Sequence, residues 1–248
     1  MRNRDIIIVA ALILAGAIGI ELYNNFVTTI TDYTPTGFTN LIMDAPQVFD
    51  YYKDGTLIGT YTYTLTSKAT GAVTLYTLVT AVDATYQEKR LTVNSTYRFT
   101  GATKPVGYEV DFGLDGTTSR LVTTYADGNA FIVTSTEGAN QTLTVSIPAN
   151  VVTIDNNNPA QWELLQKSFT PKAGQIYGVD ALVPQGAVVQ SVEYGVDTNH
   201  QFVTIGGKSY ECVVAREPDF QMSLYFYQGN LIQYKNDIDG IIIVKRMP

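Results

Sequence analysis

Thr60-Tyr61-Thr62-Tyr63-Thr64-Leu65-Thr66 places Tyr61, Tyr63 and Leu65 on one side of an extended chain and four threonines on the other. Strict two-residue alternation of this kind reads as a strand with one buried and one wet face. The pattern recurs downstream. Leu91, Val93, Tyr97 and Phe99 alternate with Thr92, Asn94, Thr96 and Arg98, and Val106, Tyr108, Val110, Phe112 and Leu114 alternate with Gly107, Glu109, Asp111 and Gly113. Further strands are expected at 143–147, 188–194, 210–214, 220–227 and 241–244, about a dozen in all on this template. Asp54-Gly55, Asp115-Gly116, Asp127-Gly128, Gln185-Gly186, Gly206-Gly207 and Gly229-Asn230 stand between the runs and carry the chemistry of tight hairpins. Alternation on both sides of short turns argues for an antiparallel sheet with one solvated face, since parallel sheets are buried on both.

One segment breaks the rhythm. Asn158-Pro159-Ala160-Gln161 has a capping residue, proline at the first helical position and Gln three residues after the cap, which together start a helix. Trp162, Leu165 and Phe169 then fall on one side at helical spacing, and Thr170-Pro171 stops the helix after about 11 residues, because the residue before a proline is pushed out of the α region. A single amphipathic helix among so many strands has one obvious use. It plugs the apolar concave face of a strongly curved sheet, which makes Trp162, Leu165 and Phe169 the candidate ligand-facing residues. The expected fold is all-β with a minor α component, and residues 47–248 form one domain, since no second shift of composition or internal repeat follows Asp50.

Composition removes several functions. One His and one Cys in 248 residues cannot build a zinc, haem or iron–sulfur site or an internal disulfide, so no cofactor or metal is expected. With 16 Lys+Arg against 23 Asp+Glu, a net charge of -7, the chain lacks the cationic footprint of a nucleic-acid binder.

The N-terminus, Met1-Arg2-Asn3-Arg4-Asp5, precedes the apolar run Ile6 to Ile20. A basic flank before an apolar core marks a signal anchor or a signal peptide, and both place the following chain outside the cytoplasm. Leu22, Tyr23 and Phe26 extend the run toward the ~20 residues a membrane span requires. Ala15-Gly16-Ala17 is a small-x-small site that a signal peptidase recognises. We carry a membrane helix at 1–26, anchor or signal, followed by a polar connector at 27–46. A pilin-like helix is the third reading; no processing site precedes the run.

Three stretches resemble the half-barrel superfamily that includes the periplasmic lipoprotein-carrier proteins. Gly55-Thr56-Leu57-Ile58-Gly59-Thr60-Tyr61-Thr62-Tyr63 is similar to its opening strand. Ser146-Ile147-Pro148 followed by Asp155 to Trp162 and Leu164-Leu165 is similar to the strand and helix at mid-chain, and Lys208-Ser209-Tyr210-Glu211-Cys212-Val213-Val214 to a late strand. The resemblance implies a curved antiparallel sheet whose concavity is closed by the helix and, in some members, holds acyl chains. It assigns no ligand-binding residue. No cysteine lies near the N-terminal run, so a lipid-anchoring motif is absent from it and a fixed, membrane-anchored role is favoured over shuttling.

The remaining candidates have plainer readings. His200, in Asp197-Thr198-Asn199-His200, is the side chain nearest neutrality, but no nucleophile signature accompanies it. Cys212 alternates with Tyr210 and Val214 and reads as a small buried hydrophobe. Asp237-Ile238-Asp239-Gly240 begins like a calcium loop, yet the twelfth position that needs a Glu is Pro248; that run and Asp155-Asn156-Asn157-Asn158 read as turns and caps. Glu109 and Asp111 share a strand face and read as its solvated side. Asn94-Ser95-Thr96 and Asn140-Gln141-Thr142 are glycosylation acceptors by pattern, Asn94 on a polar strand face and Asn140 in a turn. Tyr225 and Tyr227 oppose Leu224 and Phe226, which fits a strand central in two-layer packing or an interaction surface; we expect the former. With no Gly-x-Ser-x-Gly elbow or phosphate loop, a non-enzymatic protein is expected. The leading expectation is an extracytoplasmic, membrane-anchored domain that binds a lipid or other apolar ligand; the alternative is a structural or accessory subunit of a membrane complex or cell-surface assembly.

Overall fold

The computed structural model describes residues 29–136, 139–155 and 158–247, so the helix expected at 1–26 lies outside the described residues. Among the described residues no helix is long and apolar enough to cross a membrane.

Two meanders make the fold. The first runs through β2 (Gln47–Lys53), β3 (Thr56–Thr70), β4 (Val73–Tyr86), β5 (Lys89–Thr100), β6 (Pro105–Leu114), β7 (Thr117–Ala126), β8 (Asn129–Thr136) and β9 (Ala139–Ser146), each antiparallel to the next. The second runs through β10 (Val152–Thr153), β11 (Ile176–Val183), β12 (Val188–Val196), β13 (Gln201–Ile205), β14 (Lys208–Glu217), β15 (Met222–Tyr227), β16 (Asn230–Asn236) and β17 (Ile241–Lys245). β17 pairs antiparallel with β2, so both meanders share one 17-stranded sheet, which ends in the short β1 (Ile30–Asp32) on one side and β9 on the other and does not close. Strands hold 65% of the chain and helices 6%, which bears out the mostly β reading. The expectation of a wholly antiparallel sheet is corrected at β10, whose Val152 and Thr153 pair parallel with Ala181 and Leu182, because helix α1 (Pro159–Lys167) intervenes and returns the chain in the same direction.

Hairpin chemistry explains the register. Asp54 and Gly55 have φ of 49° and 78°, and Asp115-Gly116 and Asp127-Gly128 repeat the pair of positive values, the backbone of the turn whose twist matches its strands. Two turns differ from expectation. The turn before β16 is Gln228-Gly229, one residue earlier than Gly229-Asn230, and Gln185-Gly186 belongs to a short 3-10 turn after Pro184.

The sheet curls round α1. Tyrosine hydroxyls from β3, β6 and β12, strands far apart in the sheet, all reach the helix or the segment leading into it. The helix is therefore buried nearly all round, Gln161, Glu163 and Lys167 included, and lacks the wet face of an ordinary amphipathic helix. The connector completes its burial. Thr36 and Thr39 donate backbone N–H groups to the carbonyls of Ser168 and Lys167 at 2.8 and 3.0 Å, satisfying acceptors that a helix end leaves open. Tyr33 N–H donates to Gly178 and Asp44 N–H to Leu65, so residues 33–44 lie along the domain itself.

On the opposite face of the sheet, Val203, Tyr210, Cys212, Val214, Tyr225 and Ile232 form a second, smaller core. Leu224 and Phe226 point the other way into the main core, so the doubly aromatic strand β15 is central between two layers.

Candidate functional site

β4 to β7 carry a layered set of side chains on the face toward α1. The deepest layer is polar. Thr80 and Ser95 are cross-strand partners whose hydroxyls lie 2.7 Å apart, and the Asn158 amide donates to both, at 3.4 and 3.1 Å. Asn158 was expected to cap α1 with its side chain and does not. Its Oδ1 accepts the Tyr61 hydroxyl at 2.8 Å, and Tyr61 in turn accepts the N–H of Ala160 at 3.1 Å, so a strand tyrosine caps the helix and the helix-start Asn ties the strands together. Gln161 reaches back to accept the N–H of Asp155 at 2.6 Å, the reciprocal arm of a capping box moved three residues upstream. The Asp155 carboxylate accepts the Tyr108 hydroxyl at 2.8 Å and the Gln185 amide at 2.6 Å. Burial raises the Tyr61 and Tyr108 hydroxyls well above the usual phenol range, and the Asp155 charge adds to the rise at Tyr108. Tyr51 is pushed up to about 12, first by burial and then by Asp239 and Asp155.

Above this floor stand apolar walls. Val82 lies opposite Val93, and Val110 opposite Leu121, with Ile58, Leu91 and Ile241 beside them. Together floor and walls bound an open cavity of about 670 Å³, within the roughly 300–1,000 Å³ typical of small-molecule sites. Tyr86 and Phe112 rise to its mouth, 37% and 41% exposed. The cations at the mouth are already engaged: Lys53 donates to the Asp239 carbonyl, and Arg120 pairs with Glu109 at 2.8 Å and Asp111 at 3.6 Å.

A buried ion pair holds the other side of the helix. Lys167 Nζ lies 2.9 Å from Glu163 Oε1 and donates to the Asn40 carbonyl at 3.0 Å and to Asn230 Oδ1 at 2.8 Å, while Tyr63 donates to Glu163 Oε2 at 2.7 Å. Burial lowers the ammonium of nearby Lys245, a fall that the Glu163 carboxylate partly offsets.

Trp162, Leu165 and Phe169 do not line the open cavity. Trp162 is fully buried and stacks on Tyr194 at 6.4 Å, Phe169 meets Tyr33, Tyr177 and Tyr194, and Leu165 borders a void of about 30 Å³. Sequence reasoning read Asp155 and Asn158 as turn and cap and Gln185 as part of a hairpin turn, and did not assign any of the three to a cavity floor.

The other candidates lie apart. His200 is exposed, with Nδ1 3.1 Å from Glu211. Cys212 is buried on the outer core, its thiol 3.4 Å from the Tyr210 carbonyl and pushed up to about 11 by burial. Asp237 to Gly240 form a turn in which Asn236 and Asp239 exchange hydrogen bonds of 2.9 and 3.0 Å. Glu109 accepts from Arg98 and Arg120, and the Arg98 hydrogen bond in particular holds its carboxyl below the usual range. Asn94 is exposed on the outer face of β5. Asn140 is exposed within β9, opposite Ser135, and not in a turn as expected, because the β8–β9 ladder continues to Ala139. Among the described residues no group of three or more His, Cys, Asp or Glu side chains is placed to hold a metal ion.

The chain is thus a mostly β protein in which one wide, unclosed sheet surrounds a buried helix and leaves a walled cavity beside it. Comparison with known protein families, with curated proteins and with solved structures finds no match.

Proposed function

We propose that this chain is a β half-barrel, held at an extracytoplasmic membrane surface by residues 1–26, that binds a lipid or other apolar ligand in the cavity beside α1. The observation that carries this reading is the cavity itself, about 670 Å³ of space left between apolar walls. Interiors normally close such spaces, because every unfilled ångström forfeits dispersion contacts. The helix and connector fill part of the concave face of the sheet, and nothing among the described residues fills the space that remains beside them over β4 to β7. The resemblance to the lipoprotein-carrier superfamily points the same way. Glycosylation at Asn94 and Asn140 is compatible with the reading, since both are exposed away from the cavity face.

The test is the lipid content of full-length protein purified from its own membranes. Extraction and mass analysis should recover an amphiphile in near-stoichiometric amount from the parent, and much less from Val110→Phe, whose ring occupies the wall space. Equal recovery from both removes the cavity as the site.

A second reading, a structural or accessory subunit of a membrane complex or surface assembly, is favoured by β9. It is an edge strand of eight residues without charge or proline, and seven of the eight are exposed. Natural sheets usually protect such edges, and an extended partner segment would pair with this one. Thr142→Lys and Thr144→Lys together should abolish copurification of a partner if this reading holds.

A further inference from the structure

The cavity is polar at its closed end and apolar along its sides, the reverse of a pocket built to swallow an acyl tail. Thr80, Ser95, Asn158 and Asp155 lie on its floor, each less than a tenth exposed, and the apolar positions begin one layer nearer the mouth. A hydrocarbon terminus driven to this floor strips its water and returns no hydrogen bond. An anionic head fares no better. It would sit in low dielectric against the Asp155 carboxylate, where like charges repel most strongly. At the mouth Arg120 is paired with Glu109 and Asp111, and Lys53 donates to the Asp239 carbonyl and lies 3.9 Å from the Asp54 carboxylate, so an anionic head arriving there competes with acidic side chains already beside each cation.

We infer that the ligand is an amphiphile that enters polar end first, and that this end is a hydrogen-bond donor without negative charge, a hydroxyl or an ammonium, resting on Asp155 and Asn158. Its apolar body lies against Val82, Val93, Val110 and Leu121 and emerges between Tyr86 and Phe112. This assignment rests on the reading of the cavity as a ligand site and adds the chemistry and direction of what it takes. Asp155 and Asn158 Oδ1 are acceptors, and the Thr80 and Ser95 hydroxyls turn to donate or accept. The floor therefore meets a hydroxyl with both kinds of partner and an ammonium with a countercharge.

Calorimetry of the full-length protein in a nonionic amphipol separates the two levels of claim. The probes are 1-decanol, decylamine, decanoate and decane, each referenced to empty amphipol. Decanol or decylamine, or both, should bind at least tenfold more tightly than decanoate and decane, with the heat lost in Val110→Phe. Asp155→Asn, which keeps an acceptor for Tyr108 and Gln185, should weaken decylamine at least tenfold and decanol by no more than about threefold; where decanol alone binds, the head is a hydroxyl. If decanoate or decane binds as well as the others, the head-first assignment is overturned and the ligand site stands. If no probe gives heat that Val110→Phe removes, both are overturned. Should Val110→Phe fail to fold, Val93→Phe blocks the same layer.

Discussion

Replacing Lys167 by methionine should destabilise the domain severely, and the geometry sets the size. Among the described residues Lys167 is the sole cation within 4.0 Å of Glu163, and both side chains are almost fully buried, 6% and 4% exposed. The methionine keeps the apolar stem and removes the charge, which leaves the Glu163 carboxylate buried without its direct ion-pair partner and with only the more distant Lys245 to offset it, a loss of about 3–5 kcal/mol. The Asn40 carbonyl and Asn230 amide lose their donor in the same step. At roughly 2–4 °C per kcal/mol for domains of this size, the melting temperature should fall by about 6–20 °C. The assay is thermal and urea unfolding of the full chain followed by circular dichroism. The double variant Glu163→Leu/Lys167→Met should recover most of the loss, keeping a deficit of about 1–3 kcal/mol for the Tyr63 hydroxyl stranded without its acceptor, and a further Tyr63→Phe should remove much of that remainder. A single variant that costs under about 1 kcal/mol, the scale of surface pairs, would refute the reasoning. So would a double variant as unstable as the single.

Gly59→Ala should loosen the β3–β4 ladder, because a Cβ at Gly59 runs into the Asp83 carbonyl and the Ala84 Cα, both backbone; we expect a cost of about 1–3 kcal/mol or more by denaturant unfolding, and a neutral result would show that the strands can part freely. Cys212 should be inert to thiol reagents at neutral pH in the folded protein and react fully only in denaturant, since its buried thiol is pushed up to about 11; rapid native labelling contradicts this. Glu217 has its carboxyl raised, first by burial, with one oxygen accepting the Phe220 N–H at 2.6 Å. A raised acid stabilises the fold fully below its unfolded value, near pH 4, and loses that contribution as pH climbs through the folded value. Glu217→Gln should thus match the parent in acid and exceed it in stability increasingly above that range; a gap that shrinks with rising pH would reverse the sign of the argument.

How legible this protein was depends on which residues carry the signal. Period-two alternation at Thr60–Thr66 and the Asp-Gly turns disclose the strands, because each is enforced by local sterics and by one buried face. The Gln87-Glu88 turn, with φ of 50° and 65° and no glycine, left no such mark, and the ladders on either side hold it there. The helix was legible in position but not in environment. Its sequence reads as one-sided, with Trp162, Leu165 and Phe169 as the buried stripe, yet the surrounding sheet and connector also bury Glu163 and Lys167, which pair with each other four residues apart. The cavity was the least legible feature, because it is bounded by cross-strand neighbours and floored by Asp155 and Gln185, 30 residues apart, whose meeting depends on how the sheet curls.

The measurement that bears most directly on the central claim is a crystal structure with 10-bromo-1-decanol. Anomalous scattering should place the bromine at the cavity mouth, between Tyr86 and Phe112, with the hydroxyl on Asp155 and Asn158. Bromine on the polar floor would contradict the direction assigned to the ligand, and a cavity empty of bromine at saturating ligand would contradict the binding site itself.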